Sequence, residues 1–170
     1  MTANTIHVPR WARALMLVLP AIWLGLIIGI SFIEAPLKFT APGITIPLGL
    51  GIGRRVFLAM NITEVILGIL LLIALITLWR GHRHQELPEF SGILRYSFIA
   101  LGLLIVKTAF IRPALAVHTD RVLAGTFDGG STTHYYYIAA EVVLFVALIL
   151  LLRSAVRGLL SSTAPAHEVE

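Results

Sequence analysis

Four apolar segments of membrane-spanning length constrain this chain more than any other feature. About 20 apolar residues are needed for a helix to cross a bilayer, and such runs occupy about residues 11–33, 53–79, 93–112 and 131–152. Of the 170 residues, 58% are hydrophobic and 13% are charged, whereas a soluble domain carries about 25% charged residues. The sequence therefore predicts an all-α bundle of four transmembrane helices, an integral membrane protein in contact with the lipid bilayer.

The four crossings divide the chain into a membrane domain and two short polar ends. We expect a cytoplasmic N-terminal segment at 1–10, the membrane domain at 11–157 and a disordered tail at 158–170. Because the number of crossings is even, both termini are expected on one side. The arginines on that side are typical of the cytoplasmic face of an inner (plasma) membrane: Arg10, Arg13, Arg80, Arg83, Arg95, Arg153 and Arg157.

Charge and residue content argue against several classes of protein. The formal charge of +4 comes from basic residues that lie mainly beside the apolar segments, so nucleic-acid binding is not predicted. The chain has no cysteine, which removes disulfides, thiolate metal sites and dithiol redox relays. Facing histidine pairs for haem and a methionine cluster for copper are also missing. No metal site is predicted, and the cofactor is left unassigned.

Prolines and glycines set the predicted helix ends and contacts. Pro113 predicts the end of the third helix and a polar connection at 114–130. Gly25 and Gly29 form a G-x-x-x-G pair, which predicts close helix packing within the bundle in preference to a homodimer seam. Residues 34–53 are interpreted as an irregular apolar loop because three prolines interrupt them: Pro36, Pro42 and Pro47.

The second apolar segment carries a polar stripe. Arg54, Phe57, Asn61, Glu64 and Gly68 follow one another at helical spacing, so one face of a helix holds all five. A charge that faces lipid near the middle of a bilayer costs at least ~2.5–3.5 kcal/mol. The stripe is therefore expected to face the inside of the bundle and to find partners there.

Polar residues of the other helices converge on the same region. His134, Tyr137 and Glu141 share one face of the fourth helix. A rise of ~1.5 Å per residue places Glu64 and Glu141 about 15 Å below the outer helix ends, and Lys107 about 7–8 Å below. We expect Glu64, Lys107 and Glu141 to lie close together beneath an outward-facing pocket. The predicted pocket residues are Glu64, Lys107, His134, Glu141, Asn61, Arg54, Arg112 and Tyr137.

The predicted pocket is compatible with three functions. The favoured interpretation is a site that binds or conducts a small-molecule ligand, an ion or a proton. The first alternative is a non-catalytic subunit or assembly factor, associated with another membrane protein or with its own copies, whose buried charges only hold the bundle together. The second alternative is a membrane enzyme that uses Glu64 or Glu141 as a general base. The ligand and the oligomeric state are left open.

Three motifs carry a resemblance to known proteins. Residues 35–57 read APLKFTAPGITIPLGLGIGRRVF, residues 107–115 read KTAFIRPAL, and residues 133–141 read THYYYIAAE. With these motifs the chain resembles a group of small bacterial four-helix inner-membrane proteins without an assigned function. The resemblance would extend from Trp11 to Arg157. It implies a four-helix membrane bundle and supplies no catalytic residues.

Overall fold

The computed structural model describes residues 8–82, 89–126 and 132–160, and these are helical apart from short turns and ends, with no strand among them. Four long helical segments result, and each is long and apolar enough to cross a membrane. We number them α1 (Arg10–Thr40), α2 (Ile46–His82), α3 (Phe90–Leu123) and α4 (Thr132–Leu160). The all-α prediction with four such helices is thus confirmed. Parts of the predicted segment at 1–10, of the connections around Arg83 and at 114–130, and of the predicted tail at 158–170 lie outside the described residues. The tail is helical where it is described, because α4 continues to Leu160.

Two of the helices contain a wider π-helical stretch. In α1 the π turn covers Ile27–Glu34, and in α3 it covers Lys107–Ile111. Short α-helical and 3₁₀ turns then complete α1 from Ala35 to Thr40. A π turn inserts one extra residue into the helical ladder and is often found at functional sites. In this chain both π turns lie in the same half of the bundle.

The predicted helix ends around the prolines are wrong. Pro113 does not end the third helix, because it stands in the first turn of the α-helical stretch Arg112–Leu123 that follows the π turn. Proline is favoured in a first turn, where its missing N–H costs no hydrogen bond. The predicted loop at 34–53 is also mostly helical, since Pro36 occupies such a first-turn position too and α2 already begins at Ile46. Only a short break with Gly43 at a positive φ of 81° separates α1 from α2.

The helices pack around an apolar core that runs toward the end of the bundle where α1 begins and α4 ends. The largest fully buried side chains include Trp23, Met16, Leu71, Leu78 and Leu148. α4 lies against both α1 and α3, and α1 also packs along α2.

The predicted close packing at Gly25 and Gly29 is not present among the described residues. A β-carbon built at either glycine would meet no other atom within 4 Å. Gly68 behaves differently, because a β-carbon there would lie 2.5 Å from Cδ2 of Leu104. The close approach between helices therefore occurs at Gly68 on α2, and the G-x-x-x-G pair faces outward.

Candidate functional site: a buried ion-pair cluster beneath an apolar cavity

Three charged side chains from three helices meet inside the bundle. The ammonium of Lys107 lies 2.9 Å from Oε1 and 3.1 Å from Oε2 of Glu64, and it also donates a hydrogen bond to Oε2 of Glu141. All three side chains are at most 2% exposed. The predicted convergence of Glu64, Lys107 and Glu141 is therefore confirmed, and we call these three residues the ion-pair cluster.

Uncharged side chains complete the hydrogen bonding of the cluster. The indole N–H of Trp23 donates to Oε1 of Glu64 at 3.0 Å, and the hydroxyl of Ser31 donates to Oε1 of Glu141 at 3.1 Å. The ammonium of Lys107 also lies 5.3 Å from the centre of the Tyr137 ring, within the range of a cation–π interaction. Because a buried charge without partners is strongly destabilising, these additional contacts are what make such a cluster tolerable.

The two π turns contain one member of the ion-pair cluster and one of its hydrogen-bond donors. Lys107 is the first residue of the π turn in α3, and Ser31 lies inside the π turn of α1. Thr108, the next residue of the α3 turn, accepts a hydrogen bond of 2.9 Å from the side-chain amide of Asn61. The locally widened helices thus face α2 with polar groups at the depth where Glu64 lies.

The ion-pair cluster is not electrically balanced. With both carboxylates ionised and Lys107 protonated, it carries one net negative charge. Opposite charges at hydrogen-bonding distance in a low-dielectric interior attract strongly, but one ammonium neutralises only one of two carboxylates. The cluster is therefore suited to accept one further positive charge, a proton or a hydrogen-bond donor from a ligand.

A cavity of about 490 Å³ lies directly over Glu141. Ligand pockets in proteins measure about 300–1,000 Å³ and are mostly apolar with a few convergent polar groups. This cavity has that character, since aromatic and aliphatic side chains form most of its wall. Its lining residues come from all four helices: Ser31, Phe32, Ala35, Pro36, Lys38, Phe39, Gly49, Leu50, Gly53, Arg54, Phe57, Arg112, Leu115, Ala116, Thr119, His134, Tyr137, Ile138 and Glu141.

Basic side chains surround the outer part of the cavity. Lys38 is paired with Glu34 at 3.3 Å, and Arg54 forms an exposed salt bridge with Asp120. Arg112 also lines the cavity and makes no ion pair with any residue in the described ranges. The cavity thus has a guanidinium without an ion-pair partner among the described residues near its mouth, and the ion-pair cluster at its inner end.

The structure divides the eight predicted pocket residues into two groups. Three lie behind the cavity wall, buried in the helix interfaces: Asn61, Glu64 and Lys107. Five line the cavity itself: Arg54, Arg112, His134, Tyr137 and Glu141. Glu141 therefore connects the two groups, because it contacts Lys107 and also borders the cavity.

Sequence reasoning missed four polar participants, and two of them left a detectable signal. Trp23 lies deep within an apolar helix, whereas tryptophans of membrane helices favour the interfaces, and a buried indole N–H usually requires a partner. Lys38 stands at the end of α1, four residues after Glu34, at ion-pair spacing. Ser31 and Thr108 carried no signal, because single hydroxyl residues are ordinary in membrane helices.

Neither a metal site nor a similarity to known proteins identifies the function of this site. Within the described ranges, no group of three or more His, Asp or Glu side chains is placed to hold a metal ion. No family model, curated protein or solved structure matches this chain. Its function therefore has to be inferred from the site itself.

Proposed function

We propose that this chain is a multi-pass protein of the inner (plasma) membrane with both termini in the cytoplasm. The support is the outward surface of the four helices, which is covered by large apolar side chains such as Ile22, Ile66, Phe98, Ile105 and Val143. Such a surface is unfavourable in water and suited to lipid. The arginines near the terminal end of the bundle favour the cytoplasmic side for that end.

Within this setting we propose that the protein binds a small amphipathic molecule in the apolar cavity. The observation that carries the proposal is the position of Glu141, which borders a cavity of about 490 Å³ and is held by the ion-pair cluster. The aromatic and aliphatic wall would contact the apolar body of the ligand. Glu141 and Ser31 would then bond its polar group at the inner end of the cavity.

The apolar interior of the bundle favours a protein that binds a ligand over one that conducts an ion or a proton. Between the ion-pair cluster and the terminal end of the bundle, the buried positions are almost all aliphatic, for example Leu71, Leu75, Leu148 and Leu151. An ion or a proton crossing this region would need polar side chains or water to replace its hydration. In the described residues the cavity thus ends at the cluster.

One observation favours the structural alternative. The charged atoms of the cluster are well supplied with protein partners, as expected for a buried network that only fixes the arrangement of the helices. This alternative does not account for the cavity, which a purely structural network would have no reason to leave open. If the protein is an enzyme, the base would be Glu141, since Glu64 does not reach the cavity.

The proposal is tested by photolabelling with a long-chain alcohol that carries a diazirine, since its hydroxyl group can donate a hydrogen bond to Glu141. Ala116 lines the cavity, so Ala116→Phe fills it without altering the cluster. Ala139, on the exposed surface of α4, gives the matched control Ala139→Phe. We expect mass spectrometry to map label to cavity segments around Phe57 and Ile138 in the wild type and in Ala139→Phe.

The same label should be strongly reduced in Ala116→Phe. Equal labelling of all three proteins, or labels spread evenly over the lipid-facing surface, would contradict a binding role. Retained cellular function in Ala116→Phe together with lost labelling would favour the structural alternative.

A further inference from the structure

A second concavity lies between α3 and α4 near the other end of the bundle. It has a volume of about 210 Å³. Arg95 precedes Lys107 by twelve residues on α3, so the concavity lies about 18 Å along the axis from the ion-pair cluster. We call it the arginine pocket, and it is lined by Glu89, Ser91, Gly92, Arg95, Tyr96, Leu150, Arg153, Ser154 and Arg157.

Three arginines line the arginine pocket. Arg153 and Arg157 are one turn apart on α4, and Arg95 reaches the pocket from α3. None of the three forms an ion pair within the described residues. Glu89 is the single carboxylate among the described lining residues, so these residues carry a formal charge of +2. Like charges held close together destabilise a helix pair unless an anion neutralises them.

Hydroxyl side chains, which can donate hydrogen bonds to an anion, also line the arginine pocket. Ser154 is only 7% exposed, and its hydroxyl has no hydrogen-bond partner among the described residues. Ser91 and Tyr96 add two further hydroxyl groups. A β-carbon at Gly92 would lie 2.7 Å from Oγ of Ser154, so glycine is what leaves this hydroxyl room. The first turn of α3 also borders the pocket and has no side-chain cap, which leaves backbone N–H groups available to an anion.

We propose that the arginine pocket binds the phosphate group of an anionic phospholipid. Arginine forks bind phosphate oxygens through paired hydrogen bonds, and a phosphate would neutralise the excess positive charge. Basic pockets between helices at the cytoplasmic surface are suited to lipid headgroups. Beside the pocket, Phe98 and Ile99 are exposed, so an acyl chain has an apolar surface to follow. The proposal depends on the membrane orientation proposed above and not on the function of the cavity.

The experiment compares two double variants that lose the same charge at the same end of the bundle. Arg153→Gln with Arg157→Gln removes the α4 side of the pocket. Arg10→Gln with Arg80→Gln removes two exposed arginines outside it. The purified full-length protein in detergent is titrated with phosphatidylglycerol, and bound lipid is measured by native mass spectrometry. Phosphatidylcholine and inorganic phosphate are the comparison probes.

We expect the pocket variant to raise the apparent Kd for phosphatidylglycerol by about tenfold or more, because charge-assisted hydrogen bonds are lost. The control variant should change this Kd by less than about threefold, and phosphatidylcholine should bind weakly throughout. If both double variants lost the same affinity for phosphatidylglycerol, the loss would be due to general surface charge, and the proposal would be overturned. Tight binding of inorganic phosphate without selectivity for phosphatidylglycerol would overturn the lipid assignment.

A variant that keeps the charge guards against loss of folding. Arg153→Lys with Arg157→Lys preserves both positive charges and removes only the guanidinium forks. If this variant is folded, the proposal predicts weaker phosphatidylglycerol binding than in the wild type. Unchanged binding in this variant would refute the phosphate geometry that we propose.

Discussion

Removing the central cation of the ion-pair cluster should destabilise the protein more than any other single substitution in it. Lys107→Met keeps the length of the side chain and deletes the ammonium that contacts both Glu64 and Glu141. The two carboxylates, which are at most 2% exposed, then face each other without a cation. Among the described residues, only the hydrogen bonds from Trp23 and Ser31 remain to these carboxylates.

The expected magnitude follows from this geometry. Removing one partner of a buried ion pair costs about 3–5 kcal/mol. Because Lys107 serves two carboxylates, we expect the upper part of that range, about 4–5 kcal/mol. Adding Glu64→Gln and Glu141→Gln to Lys107→Met removes the unpaired charges, so it should restore about 2 kcal/mol or more.

The assay is unfolding in mixed micelles by titration with dodecyl sulfate. Lys38→Met is the matched control, since Lys38 pairs with Glu34 through side chains that are 10% and 32% exposed. A partly exposed pair contributes about 0–1 kcal/mol. A free energy of unfolding for Lys107→Met within about 1 kcal/mol of the Lys38→Met value would refute the cluster as described.

Three further predictions use the same unfolding assay. Trp23→Phe removes a buried hydrogen bond to the Glu64 carboxylate and should cost about 2–3 kcal/mol, but less, about 1 kcal/mol, in a Glu64→Gln background, where the lost bond is to a neutral amide oxygen. Asn61→Leu removes a neutral bond to Thr108 and should cost less, about 1 kcal/mol, and adding Thr108→Val should not double the loss. Gly68→Ala should destabilise by about 1–3 kcal/mol through overpacking, whereas Gly25→Ala, which meets no neighbour, should stabilise by up to about 1 kcal/mol. A dimer that dissociates in Gly25→Ala would instead assign that glycine to a contact between copies.

The number of helices could be predicted from the sequence because it depends on length and hydrophobicity alone. The helix ends could not, because prolines were taken as terminators. Pro36 and Pro113 each stand in the first turn after a π-helical stretch, where proline is tolerated. No local sequence pattern predicts a π turn. A proline that follows a π turn is therefore easily interpreted as the end of a helix.

The charged members of the site could be predicted for an energetic reason. A glutamate or lysine inside an apolar helix must find a partner, and Glu64, Lys107 and Glu141 are the charged residues that lie away from the ends of the predicted helices. The same argument gives no information about Ser31, whose hydroxyl is compatible with several surroundings.

The π turns also show why a helix face cannot be extrapolated along the whole of α3. One extra residue in a turn rotates everything that follows by about 100°. In α3 this rotation begins at Lys107, so the face on which Arg112 lies cannot be extrapolated from the residues before the turn. Depth along the helix axis is much less affected, since one inserted residue shifts it by at most about 1.5 Å. Predictions of which charges meet inside such a bundle are therefore safer when they depend on the need of buried charges for partners than when they depend on a continuous helical period.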